Sequence, residues 1–238
     1  MRITHVLTHF PYEECHIDRL QKVFAALGEP LDEKPFFRGR NYSLLKTERG
    51  IFWFAGIVDN MDTQWVSSWN TRFTKEFMNL IVVFIEVSGL NRIEKRLKES
   101  KLNFERIRII GEKRFLFFRK RMELPVDILS VRVPHSGIEL SFYEGDEIPA
   151  DGKFIREVEL RVIPDVISDY RRILFALPVR VEGSGGEYTA EFSSHQKLII
   201  KPVEPYNRAI VRFEPVHERY LGRGLNILSL RMETVSGS

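Results

Sequence analysis

The sequence has little of what marks several protein classes. One cysteine, Cys15, in 238 residues excludes an internal disulfide framework. The longest apolar run, residues 80–85, falls far short of the roughly 20 residues that a membrane-spanning helix needs. The opening stretch MRITHVLTHF lacks the long apolar segment and small-residue cleavage site of a signal peptide. Together these point to the cytoplasm. There is no Ser-His-Asp motif, no zinc-ligand spacing and no dinucleotide fingerprint. GSGG at 183–186 is not followed by a helix opening on Lys-Ser/Thr, so it is a turn and not a phosphate loop, and YLGRGLN reads as a turn too. Charge of one sign is also scarce. With 36 basic and 33 acidic residues the net charge is +3, which permits nucleic-acid contact without arguing for it. Glutamine is rare while Lys, Arg, Glu and Ile are plentiful, a composition that hints at a thermophile.

What is present is a repeated unit of a strand, a short amphipathic helix and two or three more strands. In the first copy RITHVLTHF is a strand, and CHIDRLQKVFAALG is a helix with Ile17, Leu20, Phe24 and Leu27 on one face and Gly28 as its stop. NYSLLKTERGIFWFAG follows as a hairpin turning at residues 48–50. In the second copy NLIVVFIEVSG is a strand and LNRIEKRLKES a helix with Leu90, Ile93 and Leu97 inward. FERIRIIGEKRFLFFRK is a hairpin with Gly111 in its turn, and DILSVRVP and GIELSFYEG add two strands. The third copy follows the Pro/Gly/Asp stretch DEIPADGK. Its strand is FIREVELRVIP, and its helix DVISDYRRILFAL has Asp165 as N-cap and Ile167, Tyr170 and Leu174 as apolar face. RAIVRFEPVHERYLGRGLNILSLRMETV supplies only half a unit: two strands and at most one helical turn.

Three and a half units of roughly 50 to 70 residues predict an α+β fold, mainly antiparallel sheets with helices packed on one face. The composition break near residue 150 predicts two domains, 1–149 and 150–238. The half unit leaves a strand edge that invites a second copy of the chain or another protein. The segment NMDTQWVSSWNTRFTKEFMN stands outside the unit. Its Met61, Trp65, Trp69, Phe73 and Phe77 recur every four residues, drifting about 40° per step around a helix. Such a stripe is a helix buried against the body or, alternatively, a partner-docking surface centred on Trp65, Trp69 and Phe73.

Over about two thirds of the chain, ITHV, IDRLQKVFAALG, IEKRLKESKLNFERIRIIGEKRFLFF and PHSGIELSFYEG resemble the paired modules of the vicinal oxygen chelate superfamily, which includes glyoxalase I and the extradiol dioxygenases. The resemblance implies a cupped sheet around a divalent metal (Fe, Mn, Zn or Ni), with His5 and Glu139 as ligands, binding a small molecule with lyase or dioxygenase chemistry. The chain departs from the pattern where the second module opens. LIVVFIEV has no His, and Ile81 stands at about the matching position; in the second half Glu157 and Ala209 or Ile210 do. A metal-free binding protein is thus an equal expectation, and whether the chain is an enzyme stays open.

A second resemblance is to the DNA sliding clamps, which also repeat a strand–helix–strands unit. FTKEFMNLIVVFIEVSGLNRIEKRLK and EIPADGKFIREVELRVIPDVISDYRRIL carry it. It implies a non-enzymatic module whose Arg92, Lys95, Arg96, Lys98, Lys101, Arg171 and Arg172 face nucleic-acid phosphates. Glu94 and Glu99 among these lysines also fit a solvated helix face with i,i+4 pairs. Among the remaining residues, His5 and His9 point to one side of a strand but lie about 13 Å apart, too far to share an ion. Cys15 has no base partner that would make it a nucleophile.

Overall fold

The computed structural model describes residues 1–11, 14–32, 37–38, 42–57, 80–115, 118–134, 136–145, 152–192, 195–203, 205–227 and 229–237. Within them the chain forms two mixed sheets with three helices, and no helix is long and apolar enough to cross a membrane. The aromatic stripe with Trp65, Trp69 and Phe73 lies outside the described residues, as do the side chains of His9, Cys15, His16 and His135.

The first sheet is built from two complete copies of the unit. One copy is β1 (Arg2–Pro11), α1 (Glu14–Ala26), β2 (Phe37–Arg38), β3 (Tyr42–Lys46) and β4 (Phe52–Ile57). The other is β5 (Ile81–Glu86), α2 (Leu90–Glu99), β6 (Phe104–Phe115), β7 (Phe118–Arg132) and β8 (Ile138–Tyr143). The strand order is β2-β3-β4-β1-β5-β8-β7-β6. The two opening strands, β1 and β5, pair antiparallel at the centre, and the last strand of each copy returns parallel to its opener.

The second sheet repeats this scheme with one strand fewer. Its elements are β9 (Ile155–Val162), α3 (Ile167–Ala176), β10 (Arg180–Ser184), β11 (Glu187–Glu191), β12 (Lys197–Pro202), β13 (Arg208–Phe213), β14 (Gly224–Ile227) and β15 (Leu230–Thr234). The order is β10-β11-β12-β9-β13-β15-β14, again with antiparallel openers, β9 and β13, at the centre. In the last copy a single 3-10 turn, Glu218–Tyr220, stands where the other copies have a helix.

Four sequence expectations change in detail. Gly111 is not in a turn: β6 and β7 are long, Gly111 pairs with Met122 inside the ladder, and the chain reverses between Phe115 and Phe118. DILSVRVP is not a separate strand but the end of β7. Asp165 does not cap α3, because a 3-10 turn, Pro164–Val166, precedes that helix and puts Val166 at the cap. The last half unit has three strands, not two, since GLNI and LRMET form a tight antiparallel pair. At 185–186 two glycines at φ 64° and 93° form the two-residue hairpin turn that joins β10 to β11, a conformation side-chain-bearing residues rarely adopt.

Strand side chains alternate between faces, so the register sorts them. On one face of the first sheet lie Ile3, Val6, Phe52, Val83, Ile85, Leu140 and Phe142. On one face of the second lie Val158, Leu160, Leu198, Ala209 and Val211. All belong to one apolar cluster with Phe24 of α1, Leu90, Ile93 and Leu97 of α2 and Tyr170, Ile173 and Leu174 of α3. The predicted inward faces of these helices are thus the observed ones. The helix-bearing faces of the two sheets meet. Phe52 packs edge-on to Phe213 at 5.2 Å, and the buried Tyr170 hydroxyl donates to Ser136 Oγ and the Ile138 carbonyl, both at 2.9 Å.

A polar staple also crosses between the halves. Gln196, buried, accepts from the Ile3 N–H at 2.9 Å and donates to the carbonyls of Ile3 (2.9 Å) and Gly152 (2.6 Å). Gly152 is glycine for want of room: a Cβ there would stand 2.2 Å from the Ile3 carbonyl oxygen. Gln196→Ala strands buried backbone groups of Ile3 and Gly152, and should cost about 3 kcal/mol. Urea denaturation reads this, and a loss below about 0.5 kcal/mol would mean that water replaces the amide without cost.

Candidate functional site

The faces turned away from the helices differ sharply between the two sheets. Across the first sheet the register sets His5 opposite Phe84, Phe84 opposite Ser141 and Ser141 opposite Ser130; Leu7, Trp53, Val82, Glu139, Tyr143 and Ile128 share this face. Every one of these side chains is buried. Glu139 is therefore not a solvent-facing strand residue. Its carboxylate accepts from the hydroxyls of Ser130 and Ser141, the latter at 3.3 Å.

His5 is the centre of an aromatic stack. Its ring lies 4.1 Å from Trp53 on one side and 4.3 Å from Phe84 on the other. Its Nδ1 is 3.0 Å from Thr4 Oγ1, and that hydroxyl donates to the Phe84 carbonyl at 3.3 Å. Nε2 is buried and without a partner among the described residues. Burial disfavours the imidazolium and holds the His5 pKa well below the ordinary value.

His5 and Glu139, the two residues expected to hold a metal, thus face the same way from β1 and β8, with β5 between them. Two strand spacings and a two-residue offset put their Cα atoms about 12 Å apart. A third ligand would come most directly from β5, whose side chains on this face are Val82 and Phe84; Ile81 points to the helices. Among the described residues no three His, Cys, Asp or Glu side chains come together where they could hold one ion. Two donors, one bound to a threonine and the other to two serines, do not make up the described part of a metal site.

The second sheet presents charge on its free face. Glu157, Glu159 and Arg161 of β9, Arg208, Ile210 and Arg212 of β13, Lys197, Ile199 and Lys201 of β12, and Arg231 and Glu233 of β15 all share it. Arg212 is the hub: it donates to Glu157, to Glu159 at 3.1 Å and to Glu233 at 2.9 Å. Arg161 pairs with Glu159 and Arg231 with Glu233, each at 2.5 Å. Burial opposes ionisation of Glu159 and Glu233, but hydrogen bonds from Arg161 and Arg212 to the one, and from Arg231 and Arg212 to the other, outweigh it and hold both carboxyls below their ordinary values. A cleft of about 550 Å³ opens on this face, lined by Arg161, Arg208, Arg212, Asn226, Ser229, Arg231 and the carboxylate of Glu233, with Ile210 and Leu230 as its apolar lining.

These arginines leave only a partial sequence signal, the alternation within EVELRV and the Arg208/Arg212 spacing of RAIVRF, and the strand register alone brings the two stretches side by side.

The cations expected to face nucleic acid sit on α2 and α3, which touch each other; Arg172 donates to the carbonyls of Ser100 (2.8 Å) and Lys101 (3.1 Å). Lys98 pairs with Glu94 at 2.7 Å and Lys95 lies 3.9 Å from Glu99, while Arg171 lies over the rings of Phe175 and Tyr188. Arg92 and Lys101 are exposed and Arg96 is half-buried. His195 and His217 are exposed in turns.

No protein-family model matches the chain, and no curated protein matches its sequence. Solved structures do. A hypothetical protein from Staphylococcus aureus superposes with a TM-score of 0.62 at 9% identity, over 98% of this chain and 99% of that one. A xylose isomerase-like TIM barrel/4-hydroxyphenylpyruvate dioxygenase fusion protein superposes with a TM-score of 0.56 at 12% identity, over 90% of this chain and 36% of that one. At such identities the likeness shows the fold alone.

The buried neutral imidazole has a pH consequence. The unfolded chain binds a proton at His5 near pH 6.5 and the folded chain does not, so stability contributed at neutral pH is lost as pH falls below about 6.5, by up to about 1.4 kcal/mol per pH unit. His5→Phe keeps the stack and removes the titration. In urea denaturation between pH 7.5 and 5, the wild type should lose more stability than the variant; parallel pH profiles would show that His5 takes up a proton as readily in the fold as in the unfolded chain.

Proposed function

We propose that this chain is a metal-free small-molecule-binding protein on a vicinal-oxygen-chelate-like fold, with its ligand on the free face of the second sheet. One observation carries the reading. The two sheets share a strand scheme, yet the described centre of the first sheet's free face is buried, while the second opens into a cleft of about 550 Å³, within the range of small-molecule sites. The cleft crosses β9, β13, β15 and β14, so rigid strands position its walls.

The metal-dependent version, a lyase or dioxygenase with an ion on His5 and Glu139, draws support from the fold likeness to a protein named for a dioxygenase, but the described donor set does not fit an ion. A second reading, a clamp-like module gripping DNA with the cations of α2 and α3, draws support from the adjacency of those helices. Against it, Lys95, Lys98, Arg171 and Arg172 are each engaged with a carboxylate, an aromatic ring or a backbone carbonyl.

Elemental analysis of the intact purified chain, with a small-molecule thermal-shift and NMR screen, separates these. Substoichiometric Fe, Mn, Zn and Ni, with hits that perturb Ile210 and Arg231, is the expected outcome. Stoichiometric metal that disappears in both His5→Ala and Glu139→Ala would replace it with the metal-dependent reading. DNA binding that weakens steeply with salt and falls in Arg92→Ala and Arg96→Ala would replace it with the clamp-like one.

A further inference from the structure

We propose that the cleft on the second sheet takes a ligand with an anionic group, a phosphate or a carboxylate, gripped by Arg208, with the Glu159-paired Arg161 beside it. This rests on the cleft being the ligand site and adds the chemistry of what enters it.

The register supplies the first argument. Lys201 of β12 stands opposite Arg161 of β9, and Arg161 stands opposite Arg208 of β13, so three cations lie in one row across three adjacent strands on one face. Neighbouring strands are only about 4.8 Å apart. Like charges directly opposite one another oppose sheet formation. The next row, Ile199, Glu159 and Ile210, and the one after it, Lys197, Glu157 and Arg212, each contain a carboxylate; the row of Lys201, Arg161 and Arg208 contains none.

The pairing pattern supplies the second. Glu157, Glu159 and Glu233 are all taken up by Arg161, Arg212 and Arg231, three carboxylates to three guanidiniums. Nothing of that balance is left for Arg208 or Lys201, which have no ion pair and no side-chain hydrogen bond among the described residues. Arg208 lines the cleft beside Arg161 and Ser229. An unpaired guanidinium offers two parallel N–H donors, the fork that a carboxylate or phosphate accepts bidentately. Beside it, Ile210 gives apolar floor for the body of such a molecule. The cleft's size suits a metabolite-sized anion rather than a nucleic-acid strand.

Isothermal titration of the intact chain with pyrophosphate and with citrate, at constant ionic strength set with chloride, tests this and tells the phosphate source from the carboxylate one. At least one should bind, with NMR shifts at Arg208 and Ile210. Arg208→Ala should weaken that binding at least tenfold, Arg208→Lys should weaken it less, and Arg219→Ala should leave it unchanged. In the absence of anion, Arg208→Ala should match or exceed the wild type in thermal stability, because it removes a repulsion; added anion should then raise the midpoint of the wild type only. Equal binding by wild type and Arg208→Ala, or a DNA oligonucleotide that displaces the anion from the cleft, would overturn the proposal. If neutral molecules shift Ile210 while neither anion binds, the anionic chemistry fails and the small-molecule reading stands. If nothing small perturbs the cleft, both fail.

Discussion

Each sheet is held at its centre by two opening strands in antiparallel register, β1 with β5 and β9 with β13, and the rest of the molecule hangs on that pairing. A parallel return strand closes each copy of the unit on the outer side of its opener, where a helix crosses over one face. In the last copy a 3-10 turn replaces the helix, and the strand count falls from eight to seven. The central pair survives this loss because its ladder depends on β9 and β13 alone, which is why a truncated copy can complete a sheet. With one face of each sheet committed to the shared apolar cluster, the period-two alternation dictates that whatever occupies the odd positions must serve the other face.

The same geometry carries opposite chemistry on those two free faces. In the first sheet these alternate positions are aromatic, aliphatic or short and polar apart from Glu139, and the His5 imidazole is pressed between Trp53 and Phe84. Burial of that ring disfavours its charged form. In the second sheet the odd positions are long and charged. There the Glu159 carboxylate is almost wholly buried, and it keeps its charge because Arg161 and Arg212 both donate to it. Removing either arginine would leave a buried charge short of a partner, which costs far more than the pair itself contributes. The network therefore fixes rotamers across three strands and gives the cleft stiff walls.

Much of the fold was legible in the sequence, and the reason is that its signals are local. The helix faces of Leu90, Ile93 and Leu97 and of Tyr170 and Leu174, the glycine turn at 185–186 and the half unit at the end all follow from spacing within one segment. Where the signal was a single glycine it misled: Gly111 sits inside a ladder, opposite Met122, because the pairing resumes at Ile110 after a register shift and runs on to Phe115. The candidate site was legible only in part. His5 and Glu139 do share a face, as a strand reading requires, but no local pattern says that Val82 and Phe84 stand between them. The arginine cleft was missed for the same reason. Arg161 and Arg208 are 47 positions apart, and only the β9–β13 register makes them neighbours.

That register also bears on how the charged face came to be kept. A sheet surface that needed only to be wet could be made from Thr, Ser and alternating Glu–Lys pairs, with each cation facing an anion. The three Glu and three Arg of the network follow that rule; Lys201 and Arg208, which flank Arg161 in the row above, do not. Lys201, Arg161 and Arg208 stand side by side where one glutamate in place of any of them would relieve the repulsion. Local conflict of this kind opposes folding and tends to sit at functional positions, because a surface made optimal for its own stability has nothing left to offer a ligand. The unrelieved row borders the open cleft and not the sealed face of the first sheet, so the place where the fold is least satisfied electrostatically is also the place where a guest can enter.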